Sequence, residues 1–225
     1  MKTLAIAVAI LLLAPLAGWA APAKRSHHTS TRRSTKSAKT GGLNPLTHCG
    51  TERWHIKTLD DADAVKIKAP PQVASVHQMR ALPVPSGFDK NNDTSRYVPV
   101  EETEYTVSAI LVGFKEESDR DLHIVLADPS SPADTMIGEV PDPQCSTVAA
   151  SGHATQIAKV RNAFIKCFGT PPVGSLMKFS GKMIAQLTGV GFFDVLHGQT
   201  GVAPNGLEIH PIVKVKTVSG SCPTG

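Results

Sequence analysis

Aromatic side chains are scarce, making up 5% of the 225 residues. That argues against an extended stacking surface for single-stranded nucleic acid. No glycine-rich phosphate loop precedes a lysine, and no dinucleotide fingerprint opens a helix. No serine sits in a G-x-S-x-G setting, which excludes the usual serine-hydrolase elbow. C-x-x-C and H-E-x-x-H are both missing, which removes zinc ribbons, thioredoxin-type sites and zincin proteases. After the first 20 residues no apolar run approaches the roughly 20 residues that a membrane span needs. Acids are wholly lacking between residues 21 and 46, where Lys24, Arg25, Arg32, Arg33, Lys36 and Lys39 supply six bases.

The first 20 residues have the three parts of a secretory signal. Lys2 gives a positive start, Thr3 to Leu16 is almost wholly apolar, and Gly18-Trp19-Ala20-Ala21 offers the small residues of a cleavage site. Cleavage near Ala20 leaves no transmembrane anchor, and a secreted or periplasmic location is expected. Residues 21–46 are too polar to bury a core and read as a disordered basic arm, suited to anionic surfaces. With Lys2 and the six arm bases set aside, residues 47–225 carry 16 bases against 19 acids, a net charge of −3. A domain that tracks a nucleic-acid backbone is normally basic itself.

Cys49, Cys145, Cys167 and Cys222 all follow the signal. An even count in an oxidising compartment points to disulfides, and four cysteines allow three pairings. The expected pairs are Cys145–Cys167, closing a local segment, and Cys49–Cys222, tying the ends of the domain. Each is worth ~2–4 kcal/mol.

Hydropathy patterning predicts a single domain over 47–225. Glu52 to Lys57 alternates like a strand, and Thr58 to Asp63 holds cap residues for a short helix. Val73, Val76, Met79 and Leu82 are spaced for a helix that Pro83 and Pro85 stop. Strands are predicted over Tyr105–Phe114, Asp121–Ala127 and Thr135–Val140, then a helix over Thr155–Phe168. Further strands follow over Leu176–Ala185, continuing through Leu187–Phe193, and over Leu207–Val215. The expected class is mainly β with one or two helices: an OB-like five-stranded barrel over 100–217, with 47–99 as an N-terminal extension packed on it.

Polar residues crowd one stretch: Asp194, His197, Gln199, Asn205, Glu208 and His210 fall within 17 positions. Glu208 and His210 share a strand face, as do Asp119, Asp121 and His123. The candidate ligand-binding residues are therefore Asp121, His123, Asp194, His197, Gln199, Asn205, Glu208 and His210. A divalent metal would draw on His123, His197, Glu208 and His210, because imidazole with carboxylate suits zinc, manganese or iron. The competing reading is structural, with Asp194, Gln199 and Asn205 bonding the backbone of a long loop. Arg53 with Lys57 is a weaker anion-site candidate, and Trp54 reads as core.

Several motifs carry a resemblance. The run GVGFFDVLHGQTGVAPNGLEIHP, the ERW-x-x-KT element at Glu52 to Thr58, the D-x-H-x-VL strand at Asp121 to Leu126 and the TMI-x-E-x-P-x-P-x-C stretch at Thr135 to Cys145 resemble a family of uncharacterised exported bacterial proteins. The likeness spans roughly residues 49–216, with Ile209 where Leu is usual. It implies export and assigns no catalytic residue. The strand order also resembles staphylococcal-nuclease-like OB barrels, without that enzyme's arginine and carboxylate set. Three functions follow as expectations: an exported OB-like module binding an oligomeric or anionic ligand such as nucleic acid or glycan, a metal-dependent phosphodiesterase or other hydrolase, and a structural envelope protein.

Overall fold

A computed structural model describes residues 49–222, 224 and 225. The expected signal peptide (1–20) and basic arm (21–46) lie outside the described residues. Among those described, no helix is long and apolar enough to cross a membrane.

The longest strand organises the sheet. In β2 (Thr103–Glu116) burial alternates over the first ten residues, and Tyr105, Val107, Ala109 and Leu111 point into the core. Its first half lies between β1 (Lys68–Ser75), which is parallel to it, and β6 (Ile184–Phe193). Its second half pairs with β3 (Leu122–Ala127) and with the two-residue β5 (Met177–Lys178). β3 runs antiparallel to β4 (Thr135–Val140), β4 parallel to β7 (Leu207–Ser219), and β7 antiparallel to β6. The β2–β6 pairing closes β2-β3-β4-β7-β6 into a ring of five strands within a seven-stranded mixed sheet.

Among the described residues there are four α-helices, more than the one or two expected. The main one, α4 (Ala154–Phe168), buries Ile157, Val160 and Phe164 on one stripe. The others are single turns: α1 (Trp54–Thr58), α2 (Val76–Arg80) and α3 (Ser146–Ala150). Turns this short carry too little periodicity to stand out in a sequence. The alternation over Glu52–Lys57 predicted a strand, and α1 replaces it. Trp54, Ile56, Lys57 and Thr58 are all buried, and Thr58 Oγ1 bonds the Trp54 carbonyl at 2.9 Å.

The disulfide pairing also differs. Cys49 bonds Cys145, so neither Cys145–Cys167 nor Cys49–Cys222 forms. The physical reason is placement: Cys145, which caps α3, has its Cα 5.8 Å from that of Cys49, while Cys167 lies in the last turn of α4 beside Ser221. Cys167 and Cys222 are the free cysteines.

Strand β3 is buried on both faces. Leu122, Ile124 and Leu126 join the main apolar cluster. His123 and Val125 point the other way, as the period of two requires. That second face is covered by the loop 194–206, where Thr200 meets His123 and Gly201 packs on Val125, and a polar interior forms there outside the main core.

Candidate metal centre

The register of three adjacent strands builds the centre. His123 of β3 lies directly opposite Glu139 of β4. The parallel pairing of β4 with β7 sets Ile137 beside Glu208 and Gly138 beside Ile209, a register that continues to bring His210 beside Glu139. The row His123–Glu139–His210 is thus written into the ladder, with Asp121 at the entry to β3 and Glu208 two residues before His210. His123, Asp121 and His210 are fully buried, Glu208 is 1% exposed and Glu139 6%.

Glu139 occupies the middle. Its Oε1 lies 3.0 Å from His123 Nδ1, and its Oε2 lies 3.2 Å from His210 Nδ1. Glu117 Oε1 lies 3.2 Å from the same His123 nitrogen. The far nitrogen of His123, Nε2, donates to the Thr200 carbonyl at 2.9 Å. That bond fixes a proton on Nε2 and leaves Nδ1 to face Glu117 and Glu139, the orientation that metal-ligating histidines commonly take. Deeper in, His210 Nε2 lies 3.2 Å from Asp121 Oδ2, and His210 Nδ1 lies 3.8 Å from Glu208 Oε2.

Two donor groups result, Glu117–His123–Glu139 and Asp121–Glu139–His210. In each, the donor atoms all lie within 4.8 Å of one another. Both types of donor suit a borderline cation such as zinc or manganese.

The outer group borders a cleft of about 340 Å³, lined by Lys57, Glu117, Asp119, Glu139, Asp194 and His197 among others. Lys57 is the only lysine or arginine among the described lining residues. Its Nζ is 3.4 Å from Asp194 Oδ2 and 5.3 Å from the centre of the Phe192 ring. Burial opposes the Lys57 charge, but Asp194 and then Glu139, Glu208 and Asp121 raise the ammonium above the usual lysine range.

Lys57 is held there by its helix. The residue capping α1, Arg53, adopts a left-handed φ of 50° and sends its guanidinium inward. That group forks onto both oxygens of Glu101 at 2.7 Å and bonds the Phe193 carbonyl at 3.0 Å. It also lies over the Tyr97 and Phe192 rings, 4.7 and 4.8 Å from their centres. On the other side of the cleft, Gly206 permits the loop to close. Its φ is 70°, and a Cβ there would come within 2.5 Å of the Asp194 carbonyl. The backbone bond from Asp194 N to Gly206 O, 2.9 Å, then seats Asp194 beside Lys57.

The protonation pattern follows from this crowding. Burial works against the charge on His123, yet Glu117 and Glu139 hold its imidazole up to about 10. Burial likewise opposes His210, and Asp121, Glu139 and Glu208 keep it well above the ordinary histidine value. Burial pushes Glu208 up to about 8, with the Glu139 charge adding to it. Asp119 rises to about 7 for the same first reason, reinforced by Asp121 and Glu139. Glu139 falls well below the ordinary glutamate value: burial opposes this, and His123, His210 and Lys57 overcome it. Protons on the histidines and on Glu208 therefore offset buried carboxylate charge where a cation could take their place.

The structure gathers Asp121, His123, Glu208 and His210 into the centre and places Asp194 on the cleft wall. His197 is exposed at the rim and belongs to neither donor group. Gln199 staples its own loop, accepting from His197 N at 3.0 Å and donating to the Val195 carbonyl at 2.7 Å. Asn205 donates to the Met79 and Leu82 carbonyls, tying the loop to α2. Glu117 and Glu139 did not stand out in the sequence. Glu139 had a signal: it is the one acid in the otherwise apolar strand Thr135–Val140. Glu117 lies in a charged turn, where nothing local marks it.

No protein-family model and no curated protein matches the chain. A solved structure assigned as an aspartyl-tRNA synthetase from Leishmania major Friedlin is similar at 14% identity and a TM-score of 0.38. The match covers 70% of this chain and 23% of that one, so the chain spans about a quarter of that structure's length.

Proposed function

We propose that this chain is an exported OB-like module that binds a divalent cation through Glu117, His123 and Glu139 and, with Lys57, holds a phosphoester group of an oligomeric ligand in the cleft. Hydrolysis of that ester is the chemistry the donor set supports. The carrying observation is His123: its Nε2 is committed to the Thr200 carbonyl, and its Nδ1 faces two carboxylates on the wall of an open cleft. Three protein ligands beside open space fit a catalytic site, because a structural site would close its fourth position. A cation there lowers the pKa of a bound water toward neutrality. Lys57 then supplies a fixed positive charge for an anionic oxygen.

Other features support the same reading. The five-strand ring, with β4 parallel to β7 and α4 between β4 and β6 in the chain, supports the OB-like reading. The Cys49–Cys145 bond is in keeping with an oxidising compartment. Residues from every motif that carried the resemblance line the cleft or the donor groups: Lys57, Asp121 and His123, Glu139, and Asp194 and His210. Five cleft carboxylates, Glu52, Glu117, Asp119, Glu139 and Asp194, repel an anionic ligand until a cation is bound. Ligand binding is therefore metal-dependent.

The test uses protein stripped with a chelator and reloaded with Zn²⁺ or Mn²⁺. Hydrolysis of bis(p-nitrophenyl) phosphate should appear with metal and fall at least a hundredfold in His123→Gln. Metal retention with phosphate-ester binding and no turnover would leave a binding module. Absence of both metal and ester binding would overturn the proposal.

A further inference from the structure

We infer that a second divalent cation binds behind the first, held by Asp121, Glu139 and His210 with Glu208 beside them, so that Glu139 bridges two ions. The bridging role rests on the reading of the outer triad as a metal site. The inner site has its own observation. Among the described residues, Asp121 Oδ1 and Oδ2, Glu208 Oε2 and both ring nitrogens of His210 are buried without a hydrogen-bond partner. They lie close together but outside hydrogen-bonding geometry. Native interiors rarely leave such groups unpaired, and a bound ion is one of the standard reasons.

The spacing fits. Ligand atoms about 2.1 Å from one cation lie about 3.0–3.4 Å from each other. One donor atom from each of Asp121, Glu139 and His210 lies within 4.8 Å of the others; His210 Nδ1 sits 3.2 Å from Glu139 Oε2, while its Nε2 faces Asp121 Oδ2 at 3.2 Å. The two oxygens of Glu139 diverge, one toward His123 and one toward His210, as a carboxylate bridging two ions requires.

Charge points the same way. Glu117, Asp119, Asp121, Glu139, Asp194 and Glu208 face two lysines, Lys57 and Lys115, the latter 2.8 Å from Glu117 Oε1. With neutral imidazoles and ionised acids, one divalent ion leaves a net −2 in this interior and two leave it neutral. Uncompensated buried charge is costly, so the second ion is the better balance. The inner ion has no direct opening to the cleft, so its role is to fix Glu139 and share charge, as in two-metal sites.

The experiment loads chelator-stripped protein with Mn²⁺, removes free metal and counts manganese per chain, alongside electron paramagnetic resonance. Two equivalents with an exchange-coupled signal are expected. His123→Gln and Asp121→Asn should each retain one equivalent and show an isolated six-line spectrum. One equivalent in the wild type, unchanged by Asp121→Asn, overturns the inner ion and leaves the outer site standing. One equivalent lost with Asp121→Asn and kept by His123→Gln overturns the bridge and the outer site. No bound manganese overturns both. The wild-type count and spectrum decide even where a variant fails to fold.

An independent observation concerns the free cysteines. The Cys167 thiol, at the end of α4, donates to the Ser221 carbonyl at 3.8 Å, next to Cys222. The C-terminal tail is already folded back: Gly225 and Val215 exchange two backbone bonds of 3.1 Å, and Thr224 bridges Lys216. We infer that Cys167 and Cys222 close a second disulfide that pins the tail to α4. Exchange with an external disulfide such as oxidised glutathione supplies the oxidant. A thiolate attacks it to form a mixed disulfide, the second thiol displaces the small thiol, and two reduced thiols leave. Peptide mapping after incubation with oxidised glutathione should yield a linked Cys167–Cys222 peptide that reduction separates. Glutathione adducts on both cysteines without the linked peptide would overturn it.

Discussion

Arg53 shows how one residue can serve a site that it does not touch. Its guanidinium is 1% exposed and paired with the fully buried Glu101. Glu101 also accepts from Phe193 N at 2.9 Å and Tyr97 N at 2.8 Å. Removing one partner leaves a buried charge unpaired, so Glu101→Ala should cost about 3–5 kcal/mol in urea unfolding. A loss under 1 kcal/mol would mean that solvent reaches Arg53. Lys57 is a different case, because its charge faces the cleft. Lys57→Met keeps the length and apolar contact with Phe192, so metal content should stay at the wild-type level. Affinity for phosphate ester should drop about tenfold or more, measured by calorimetric titration of the metal-loaded protein. Equal loss of metal and ester would show that Lys57 acts only through folding.

At the scale of elements, the core strands were the readable part, whereas β1 takes up Val73 of the expected helix and the strand expected over Leu176–Ala185 shrinks to Met177–Lys178 and the start of β6. β4 matched its predicted span of Thr135–Val140, and α4 began one residue from its predicted start. Period-two and period-3.6 patterning is strong when one face meets a continuous apolar core. The site depends on something patterning does not carry, which is register between strands distant in sequence. Asp121, His123, Glu208 and His210 were legible as polar residues in β-rich segments. That β4 would lie between β3 and β7 and place Glu139 between two histidines was not. The loop 194–206 read as functional because of its composition. Much of that polarity proves to be loop construction, with Asn205 bonded to α2 and Gln199 to its own turn. Asn205→Ala should therefore cost about 1–3 kcal/mol, the usual range for stranded buried partners. Hydrogen exchange should rise in residues 194–206 while strands β3 and β4 stay protected. Unchanged exchange in the loop would assign its order to other contacts.

Across the whole molecule the centre sets the response to pH. In the metal-free protein His123 is raised to about 10 from 6.5 and Glu208 to about 8 from 4.5. A folded pKa above the unfolded value gives stability that is present at low pH and lost as pH rises through the folded value. Metal-free stability should therefore fall from about pH 4.5, through the Glu208 window to about 8 and the His123 window to about 10, with the drop seen as a declining Tm by calorimetry. Cation binding must displace those protons, so metal affinity should rise over the same range. A metal-free Tm that climbs with pH would contradict the assigned protonation. Overall charge fits this division of labour. The described domain lies within the slightly acidic part of the chain, and its attraction for an anion is local and conditional on metal. The most direct measurement is anomalous diffraction at the zinc edge from a Zn²⁺-soaked crystal. The account predicts a peak about 2.0–2.2 Å from His123 Nδ1, shared with Glu117 and Glu139. A well-ordered centre with no anomalous peak between those three residues would contradict it.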